Sequence, residues 1–314
     1  MIEVEHLCKQ YGATRAVDDV SFSVGRGEIL GLLGANGAGK TTIMRILTCF
    51  CPPTSGAARV AGFDVVTSSM DARRRIGYMP ESVPLYRDMK VRPFLRFAAQ
   101  IKGLSSARRD QAVEEAIGKA GLGRVAQRIV GNLSRGYRQR VGLAQAIVAN
   151  PEILILDEPT AGLDPAQVVG FRELIRAMAG KTTIILSTHI LPEVAVTCQK
   201  VVILHRGKVV AWGEPQHLHT KLKVSGRVAV TVGGASAEEI RRALLAARGV
   251  KAVLETRPRG SASTFVLRAP ADAAPEIARA VVSKGWSLLD LREAGDTLED
   301  VFMQAISGKA QDTP

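Results

Sequence analysis

A glycine-rich loop restricts the possible folds of this chain more than any other feature. Residues 34–41 read GANGAGKT and stand between the continuously apolar segment EILGLLG and the segment KTTIMRILTCF, which has a helical pattern. Continuous apolar residues are typical of a buried parallel strand, so the sequence predicts a strand, a loop and a helix in succession. The loop matches G-x-x-x-x-G-K-[ST], in which backbone amides cradle phosphate oxygens at the start of a helix. The alternative to a nucleoside triphosphate site is a chance glycine-rich turn.

Residues of this phosphate loop have individual predicted roles. Lys40 is expected to place positive charge near the β and γ phosphates, and the Thr41 hydroxyl to bind Mg²⁺. The residues expected to contact the nucleotide here are Gly34, Asn36, Gly37, Ala38, Gly39, Lys40, Thr41 and Thr42.

Two acidic residues, Asp157 and Glu158, follow a second continuously apolar segment, ILIL at residues 153–156. Ligands of open α/β sheets gather at the carboxyl ends of the strands. Asp157 is therefore expected to hold Mg²⁺ through water, and Glu158 to orient or deprotonate the water that attacks the γ phosphate. The alternative is purely structural, with both acids only capping the end of a strand.

Alternating strands and helices predict an α/β fold for residues 1–218. Residues 2–7 and 20–24 alternate polar and apolar side chains, which predicts an antiparallel β subdomain at the start. Residues 90–150 contain successive amphipathic segments, which predict a helical subdomain. The buried strands and the final hairpin are predicted at residues 28–34, 152–159, 182–189 and 201–213.

A second, smaller domain is expected after a break at residues 215–223. Its pattern between residues 227 and 291 is strand, helix, strand, strand, helix, strand. This order indicates a ferredoxin-like α+β domain. We expect the domain to cover residues 221–306 and to be followed by a flexible tail at residues 307–314.

Composition argues against several classes of protein. The longest apolar runs fall far short of the roughly 18 residues that cross a bilayer, so the chain is not expected to span a membrane alone. Aromatic residues make up only 4% of the chain, which counts against stacking platforms for RNA. Its cysteines, Cys8, Cys49, Cys51 and Cys198, show no paired spacing and fit a reducing cytosol best. The net charge of +12 lies mainly in residues 1–218 and by itself fits nucleic acid, an anionic membrane leaflet or nucleotide phosphates.

The segment LSRGYRQR at residues 133–140 resembles the signature of ABC ATPases, and six further motifs follow the order of that family. These are Tyr11 as adenine-stacking residue, GANGAGKT, YMPE at the Q-loop, ILILDEP, AGLD at residues 161–164 as D-loop, and His189 as switch histidine. The resemblance covers residues 1–218 and implies a P-loop ATPase domain that hydrolyses ATP with Mg²⁺. It also implies that two such domains sandwich ATP, so that Ser134, Gly136 and Asp164 reach the nucleotide held by the other copy. Surface packing is the alternative for Tyr11, and a core position the alternative for His189.

Two motifs depart from the pattern of the family. Arg135 and Tyr137 replace a glycine and a glutamine of the signature, and Glu81 replaces the glutamine of the Q-loop. Both patterns resemble one branch, the separate ATPase subunits of bacterial ABC exporters for drugs, antibiotics and gliding-motility or copper-maturation machinery. That branch often ends in a segment like TLEDVF at residues 297–302. Glu81 is expected to touch Mg²⁺, and the alternative is that it points to solvent or to a basic residue of the permease.

The resemblance implies an energy-coupling ATPase. It would be a homodimer on the cytoplasmic face of the cell membrane that closes on two ATP molecules and drives a permease carried on a separate chain. Lys40, Glu158 and His189 are the expected catalytic residues, and residues 81–100 the expected contact with the permease.

Two other functions fit parts of the sequence less well. An ABC ATPase acting on nucleic acid or ribosomes would use the basic charge, but the sequence has neither a long coiled coil nor a second ATPase unit. No nucleic acid partner is therefore expected. An inactive binding module is disfavoured because Lys40, Asp157, Glu158 and His189 are all present.

Overall fold

The computed structural model describes residues 1–215, 226–260 and 262–294. The chain divides into two compact units, one ending at Gln216 and one beginning at His217. This division falls next to the domain end predicted at residue 218. The predicted tail, the segment TLEDVF and most of the predicted break at residues 215–223 lie outside the described residues.

Strands and helices alternate through most of the first unit. Its strands are β1 (Ile2–Tyr11), β2 (Thr14–Val24), β3 (Ile29–Leu33), β4 (Ser55–Val60), β5 (Phe63–Asp64), β6 (Ile76–Met79), β7 (Ile153–Asp157), β8 (Thr183–Thr188), β9 (Lys200–His205) and β10 (Lys208–Gly213). Its helices are α1 (Lys40–Leu47), α2 (Ser69–Arg75), α3 (Val91–Ile101), α4 (Ser106–Lys119), α5 (Arg135–Ile147), α6 (Pro165–Arg176) and α7 (Leu191–Thr197). Within the described ranges, no helix has both the length and the apolar character needed to cross a bilayer.

The main sheet of this unit has the strand order β10-β9-β3-β8-β7-β6. Its strands run parallel except for β10, which pairs antiparallel with β9 in the predicted hairpin. Every residue of β3, β7 and β8 is buried, which confirms the prediction made from their continuous apolar runs. The loops after β3, β6, β7 and β8 therefore leave the sheet at one shared edge.

A second sheet, with the order β2-β1-β4-β5, confirms the predicted antiparallel start. Its apolar side chains share one core with α1 and the main sheet, in which Val4, Val20, Leu30, Ile43 and Met44 are all buried. Packing of α1 against both sheets fixes the position of the phosphate loop that precedes it.

Helix α1 is shorter than the sequence predicts. The helical pattern runs from residue 40 to residue 50, but the helix ends at Leu47. Cys49 has a φ of 57°, in the left-handed region, and turns the chain out of the helix.

Helices α3, α4 and α5 lie between residues 91 and 147, in the region where the sequence predicts a helical subdomain. The sequence pattern did not predict β4 or β6. Strand β6 reads IGYM, and its glycine argues locally against a strand. A Cβ on Gly77 would lie 2.2 Å from the carbonyl oxygen of Ala146, so the close packing of α5 requires the glycine.

The second unit has the predicted order of elements. They are β11 (Arg227–Gly233), α8 (Ala237–Ala246), β12 (Ala252–Arg259), β13 (Ala262–Arg268), α9 (Ala274–Val282) and β14 (Ser287–Ala294). The strands pair antiparallel in the order β12-β13-β11-β14, which is the order of a ferredoxin-like split βαβ unit. Val230 and Phe265 of the sheet pack with Ile240 of α8 and Ile277 of α9 in a separate core.

Candidate functional site

The phosphate loop connects β3 to α1 at the shared edge of the main sheet. Gly37 and Gly39 have φ angles of 81° and 105°, which side chains with a Cβ rarely adopt. A Cβ on Gly39 would also lie 2.6 Å from the carbonyl oxygen of Ala16. These glycines allow the loop to turn directly into the first residue of α1, so that backbone amides and the helix N-terminus face the same side.

Lys40, the first residue of α1, is almost fully buried, with 6% of its surface exposed. Its ammonium donates hydrogen bonds to the carbonyl oxygens of Gly34 at 2.6 Å and Ala35 at 3.3 Å. It also lies 3.3 Å from Oε1 of Glu158. The loop carbonyls and the acid together hold this cation at the base of the phosphate loop.

Asp157 ends β7 and is also buried, with 1% exposure. Ser187, at the matching position of the neighbouring strand β8, donates from Oγ to Asp157 Oδ1 at 2.5 Å. The same hydroxyl accepts from the backbone amide of Glu158 at 2.9 Å. Burial raises the pKa of Tyr78 on β6 to about 12, and the negative charge of Asp157 adds to the rise. One serine therefore orients both acids at the carboxyl end of β7.

Glu158, the residue that follows β7, contacts side chains from two other segments of the site. Its φ of 47° is left-handed, a conformation uncommon for a residue with a side chain. Its Oε2 lies 2.9 Å from Nδ1 of His189, the residue that follows β8. Its Oε1 is buried beside Lys40 and accepts no hydrogen bond from any described residue. This oxygen is held in a buried ion pair with the Lys40 ammonium.

A cavity of about 590 Å³ opens above the phosphate loop and beside Glu158. The predicted site residues that line it are Tyr11, Asn36, Gly37, Ala38, Gly39, Lys40, Thr41, Thr42, Glu81, Glu158 and His189. Gly34 contributes its carbonyl to Lys40, and Asp157 lies buried at the end of its strand next to Glu158. Residues from β1, α1 and the loops after β6, β7 and β8 thus meet around one cavity.

Ala161 of the predicted D-loop lines this cavity, whereas the predicted site residues Ser134, Gly136 and Asp164 lie at the junction of α5 and α6. Ser134 caps α5 by accepting from the amide of Tyr137 at 3.4 Å, and Asp164 caps α6 by accepting from the amide of Gln167 at 2.9 Å. Gly136 packs against the Gln167 side chain, where a Cβ would lie 2.5 Å from its amide oxygen. Ser134, Gly136 and Asp164 are therefore close to one another but are not among the residues lining the cavity over the phosphate loop of the same chain.

The chain is similar to proteins of one known family. A family model described as ABC transporter matches residues 17–161. The uncharacterized ABC transporter ATP-binding protein YxlF of Bacillus subtilis (strain 168) is 33% identical over 98% of this chain and 99% of its own length. The chain belongs to the ABC transporter ATP-binding proteins. It is therefore an ATPase of this family, with the P-loop ABC ATPase fold.

Two further matches agree with this assignment of the ABC ATPase. The bacitracin transport ATP-binding protein BcrA of Bacillus licheniformis is 38% identical over 67% of this chain and 68% of its own length. A dimeric structure of a bacterial ABC transporter cassette is 25% identical and covers 68% of this chain and 98% of its own, with a TM-score of 0.61.

Tyr11 stands at the end of β1 with 46% of its surface exposed. Lys9 lies over its ring, with Nζ 5.1 Å from the ring centroid, and Cys51 Sγ lies 3.7 Å from its hydroxyl. Partial burial raises the pKa of Tyr11, and the contact with Cys51 adds to the rise. Lys9 and Cys51 therefore position the Tyr11 ring at the cavity, where an aromatic ring can stack on a nucleotide base.

Sequence reasoning missed several residues of this ABC site. It assigned no role to Ser187, which orients both acids, or to Arg206, which lines the cavity from the β9–β10 turn. The available signal was positional: both residues stand near the carboxyl ends of strands that neighbour β3. Glu193 was missed as well, because no local pattern distinguishes it from a surface acid of α7.

The residues present suit Mg²⁺, which prefers hard oxygen ligands and usually binds one or two protein groups together with phosphate oxygens. Asp157 supplies a buried carboxylate, held in place by Ser187. Thr41 supplies a hydroxyl and Glu81 an exposed carboxylate at the cavity lining. The assignment of Asp157, Thr41 and Glu81 as metal ligands stays a prediction.

Proposed function

We propose that this ABC ATPase powers an exporter whose permease is carried on a separate chain. The observation that supports its source of energy, ATP hydrolysis, is the position of Glu158. Its carboxylate lies between Lys40 of the phosphate loop and His189, and one of its oxygens accepts no hydrogen bond from the described residues. A base next to a phosphate site, oriented by a third group, is the arrangement that hydrolysis requires.

The chemistry assigned to these residues is phosphoryl transfer to water. The amides of the phosphate loop hold the β and γ phosphates, and the Lys40 ammonium offsets their negative charge. Glu158 takes a proton from water as the water oxygen bonds to the γ phosphorus. The bond to the bridging oxygen between the β and γ phosphorus atoms breaks, leaving ADP and phosphate. His189 orients the Glu158 carboxylate through its 2.9 Å contact.

Asp157 and Thr41 are proposed to hold Mg²⁺, with Glu81 as a third candidate ligand. When bound, the ion would neutralise charge on the phosphate oxygens and favour departure of ADP. Ser187 supports this role because its hydrogen bond orients the Asp157 carboxylate.

A homodimer with ATP at its interface is part of the proposal. Ser134, Gly136 and Asp164 gather at the α5–α6 junction rather than at the phosphate loop of their own chain. A second copy would bring them to the nucleotide, where the N-terminus of α5 can donate to the γ phosphate. The similarity to a dimeric ABC cassette supports this arrangement.

An apolar surface on the helical subdomain is the proposed contact with the permease. The ring of Tyr86 is 57% exposed and makes edge contacts with Phe94 and Phe97, at centroid distances of 6.1 and 5.5 Å. These rings and Ile101, which is 69% exposed, line a groove of about 400 Å³. An amphipathic helix of a permease would fit such a groove through its apolar face. The groove overlaps the predicted contact at residues 81–100.

The cellular setting follows from the proposed partner. A subunit that binds a permease from the cytosolic side would be peripheral, on the cytoplasmic face of the membrane. The similarity to BcrA, a bacitracin transport protein that matches 67% of this chain, supports a role in transport. The exported compound is recognised by the permease.

Substitution of Glu158 tests the proposed chemistry. Glu158→Gln should bind ATP but hydrolyse it at least about a hundredfold more slowly, because the amide cannot take the proton. ATP-bound dimers should then accumulate and elute earlier in size-exclusion chromatography with ATP and Mg²⁺. Glu152→Gln, which neutralises a half-buried acid just before β7 that pairs with Arg75 outside the cavity lining, is the matched control and should keep the turnover of the parent. Parental turnover together with a persistent monomer in Glu158→Gln would contradict both the base and the dimer.

A further inference from the structure

Glu193 is a buried acid that the chemistry above does not use. It lies in the first turn of α7, with 7% of its surface exposed. Its Oε2 accepts two hydrogen bonds, from Thr160 Oγ1 at 2.9 Å and from Thr188 Oγ1 at 3.1 Å. A buried acid is costly unless its oxygens are satisfied, and here two hydroxyls converge on one oxygen.

The two threonines belong to the two segments that form the catalytic pair. Thr160 stands two residues after Glu158, and the amide of Ala161, the first residue of the D-loop, donates to the Glu158 carbonyl at 3.1 Å. Thr188 is the residue immediately before His189. Both threonines are buried, with 5% and 0% exposure. Glu193 is therefore hydrogen-bonded to the segment that carries Glu158, two residues after that acid, and to the segment that carries His189, one residue before that histidine.

The contact between Glu158 and His189 depends on the relative position of these segments. It spans 2.9 Å, and Glu158 reaches it from a left-handed backbone conformation that the surroundings must hold. A displacement of either segment by about 1 Å would separate the pair and disturb a base that must meet water and phosphate together. We propose that Glu193 is a positioning residue that ties the segment after β7 to the segment after β8 and so sets the geometry of Glu158 and His189.

This inference rests on the proposed roles of Glu158 and His189. It differs from them because Glu193 lies outside the cavity lining, and its hydrogen bonds to Thr160 and Thr188 involve neither Lys40 nor the phosphate loop. Substitution of Glu193 should therefore change turnover and leave nucleotide binding intact.

The test compares kcat with KM for ATP in the full chain. Glu193→Ala should lower kcat on the order of tenfold with KM for ATP little changed, as expected when positioning and not binding is lost. Glu193→Gln keeps an oxygen that can accept both hydroxyls and should restore most of the turnover. Thr160→Val removes one of the two donors at constant shape and should lower kcat by a smaller factor. Added to Glu193→Ala, Thr160→Val should have no further effect, because the bond is already lost.

Thr197→Val is the matched control on the same helix. Thr197 is buried at 6% exposure, and its hydroxyl has no hydrogen-bond partner among the described residues, so its loss should leave kcat unchanged. Direct measurement of ATP affinity establishes that each variant is folded.

Parental kcat in Glu193→Ala, equal loss in Glu193→Ala and Glu193→Gln, or multiplying effects of Glu193→Ala and Thr160→Val would each overturn the inference. If Glu158→Gln itself retained turnover, the failure would lie in the proposed chemistry instead.

Discussion

Glu158 adopts a conformation that its own side chain disfavours. A left-handed φ at a residue with a Cβ costs on the order of 1–3 kcal/mol, and such residues persist only when their surroundings hold them. Ser187 bonds the Glu158 amide, and Lys40 and His189 lie within 3.3 and 2.9 Å of its two carboxylate oxygens. The strain is thus stored at the residue that we propose as the base, whose side chain lines the cavity.

Glu81 provides the first prediction at the scale of single residues. Because Glu81 lines the cavity and is exposed, a carboxylate there should attract Mg²⁺ more than a neutral amide would. We expect the ATPase rate of the parent to depend more steeply on Mg²⁺ concentration than that of Glu81→Gln. Titration of Mg²⁺ at saturating ATP measures the difference. Superimposable curves for the two proteins would leave Glu81 facing solvent or the permease.

The four thiols provide a second prediction. Burial raises the pKa of Cys198 well above the usual range, with a further rise from the charge of Glu193, and burial also raises the pKa of Cys49. A raised thiol pKa lowers the thiolate fraction, so both should still resist alkylation at a pH at which an ordinary thiol is deprotonated. Cys8 and Cys51 are only half buried and should react at pH 8 in the folded protein.

Alkylation in the presence of ATP tests whether the nucleotide base stacks on Tyr11. Cys51 contacts the Tyr11 hydroxyl, so a base stacked on Tyr11 should slow the modification of Cys51 and leave that of Cys8 unchanged. Mass spectrometry of each cysteine-containing peptide follows the four sites separately. Equal rates at Cys51 with and without ATP would place the base away from Tyr11.

At the scale of elements, the parallel sheet explains why distant motifs share one site. Strands β3, β6, β7 and β8 run in the same direction, and their carboxyl ends place the phosphate loop, Glu81, Glu158 and His189 around one cavity. The signature residues do not line this cavity, because they stand at the start of α5, which lies beside the start of α6. The Arg135 guanidinium covers Gly162 there, where a Cβ would lie 2.3 Å from its central carbon. A glycine at position 135 would leave this D-loop surface open.

The groove between the loop after β6 and α3 yields a prediction for the same scale. Tyr86→Ser removes an exposed ring from the groove without touching the cavity over the phosphate loop. ATPase activity of the isolated subunit should therefore be retained, whereas copurification with the permease should fall. Trp212→Ser on β10, which removes another exposed ring of similar exposure, is the control. Undiminished copurification of Tyr86→Ser would remove this groove from the proposed interface.

At the scale of the whole molecule, the chain consists of two compact units with separate cores. All the residues lining the cavity, and the signature and D-loop residues, belong to the first unit. A chain ending at Thr220 should therefore fold and bind ATP with the affinity of the full protein. Titration with a fluorescent ATP analogue compares the two directly. A folded truncated chain that does not bind ATP would show that the second unit is required by the site.

The sequence by itself determined the features that depend on short-range patterns. Continuous apolar runs predicted β3, β7 and β8, because a strand covered on both faces needs no polar alternation. The phosphate loop was recognisable because its glycine spacing is required by backbone geometry within eight residues. The βαββαβ order of the second unit followed in the same way from its periodicity and turns.

Only the tertiary structure decided which residues act on one another across the sheet. The pairing of Ser187 with Asp157 spans 30 positions, and that of Thr160 with Glu193 spans 33. Strand β6 contains Gly77, a residue that strands disfavour, because α5 packs so closely at this position that no side chain would fit. These contacts depend on the packing of separate elements, and a buried hydrogen bond between distant residues has no local signature, since each partner taken alone resembles an ordinary surface residue.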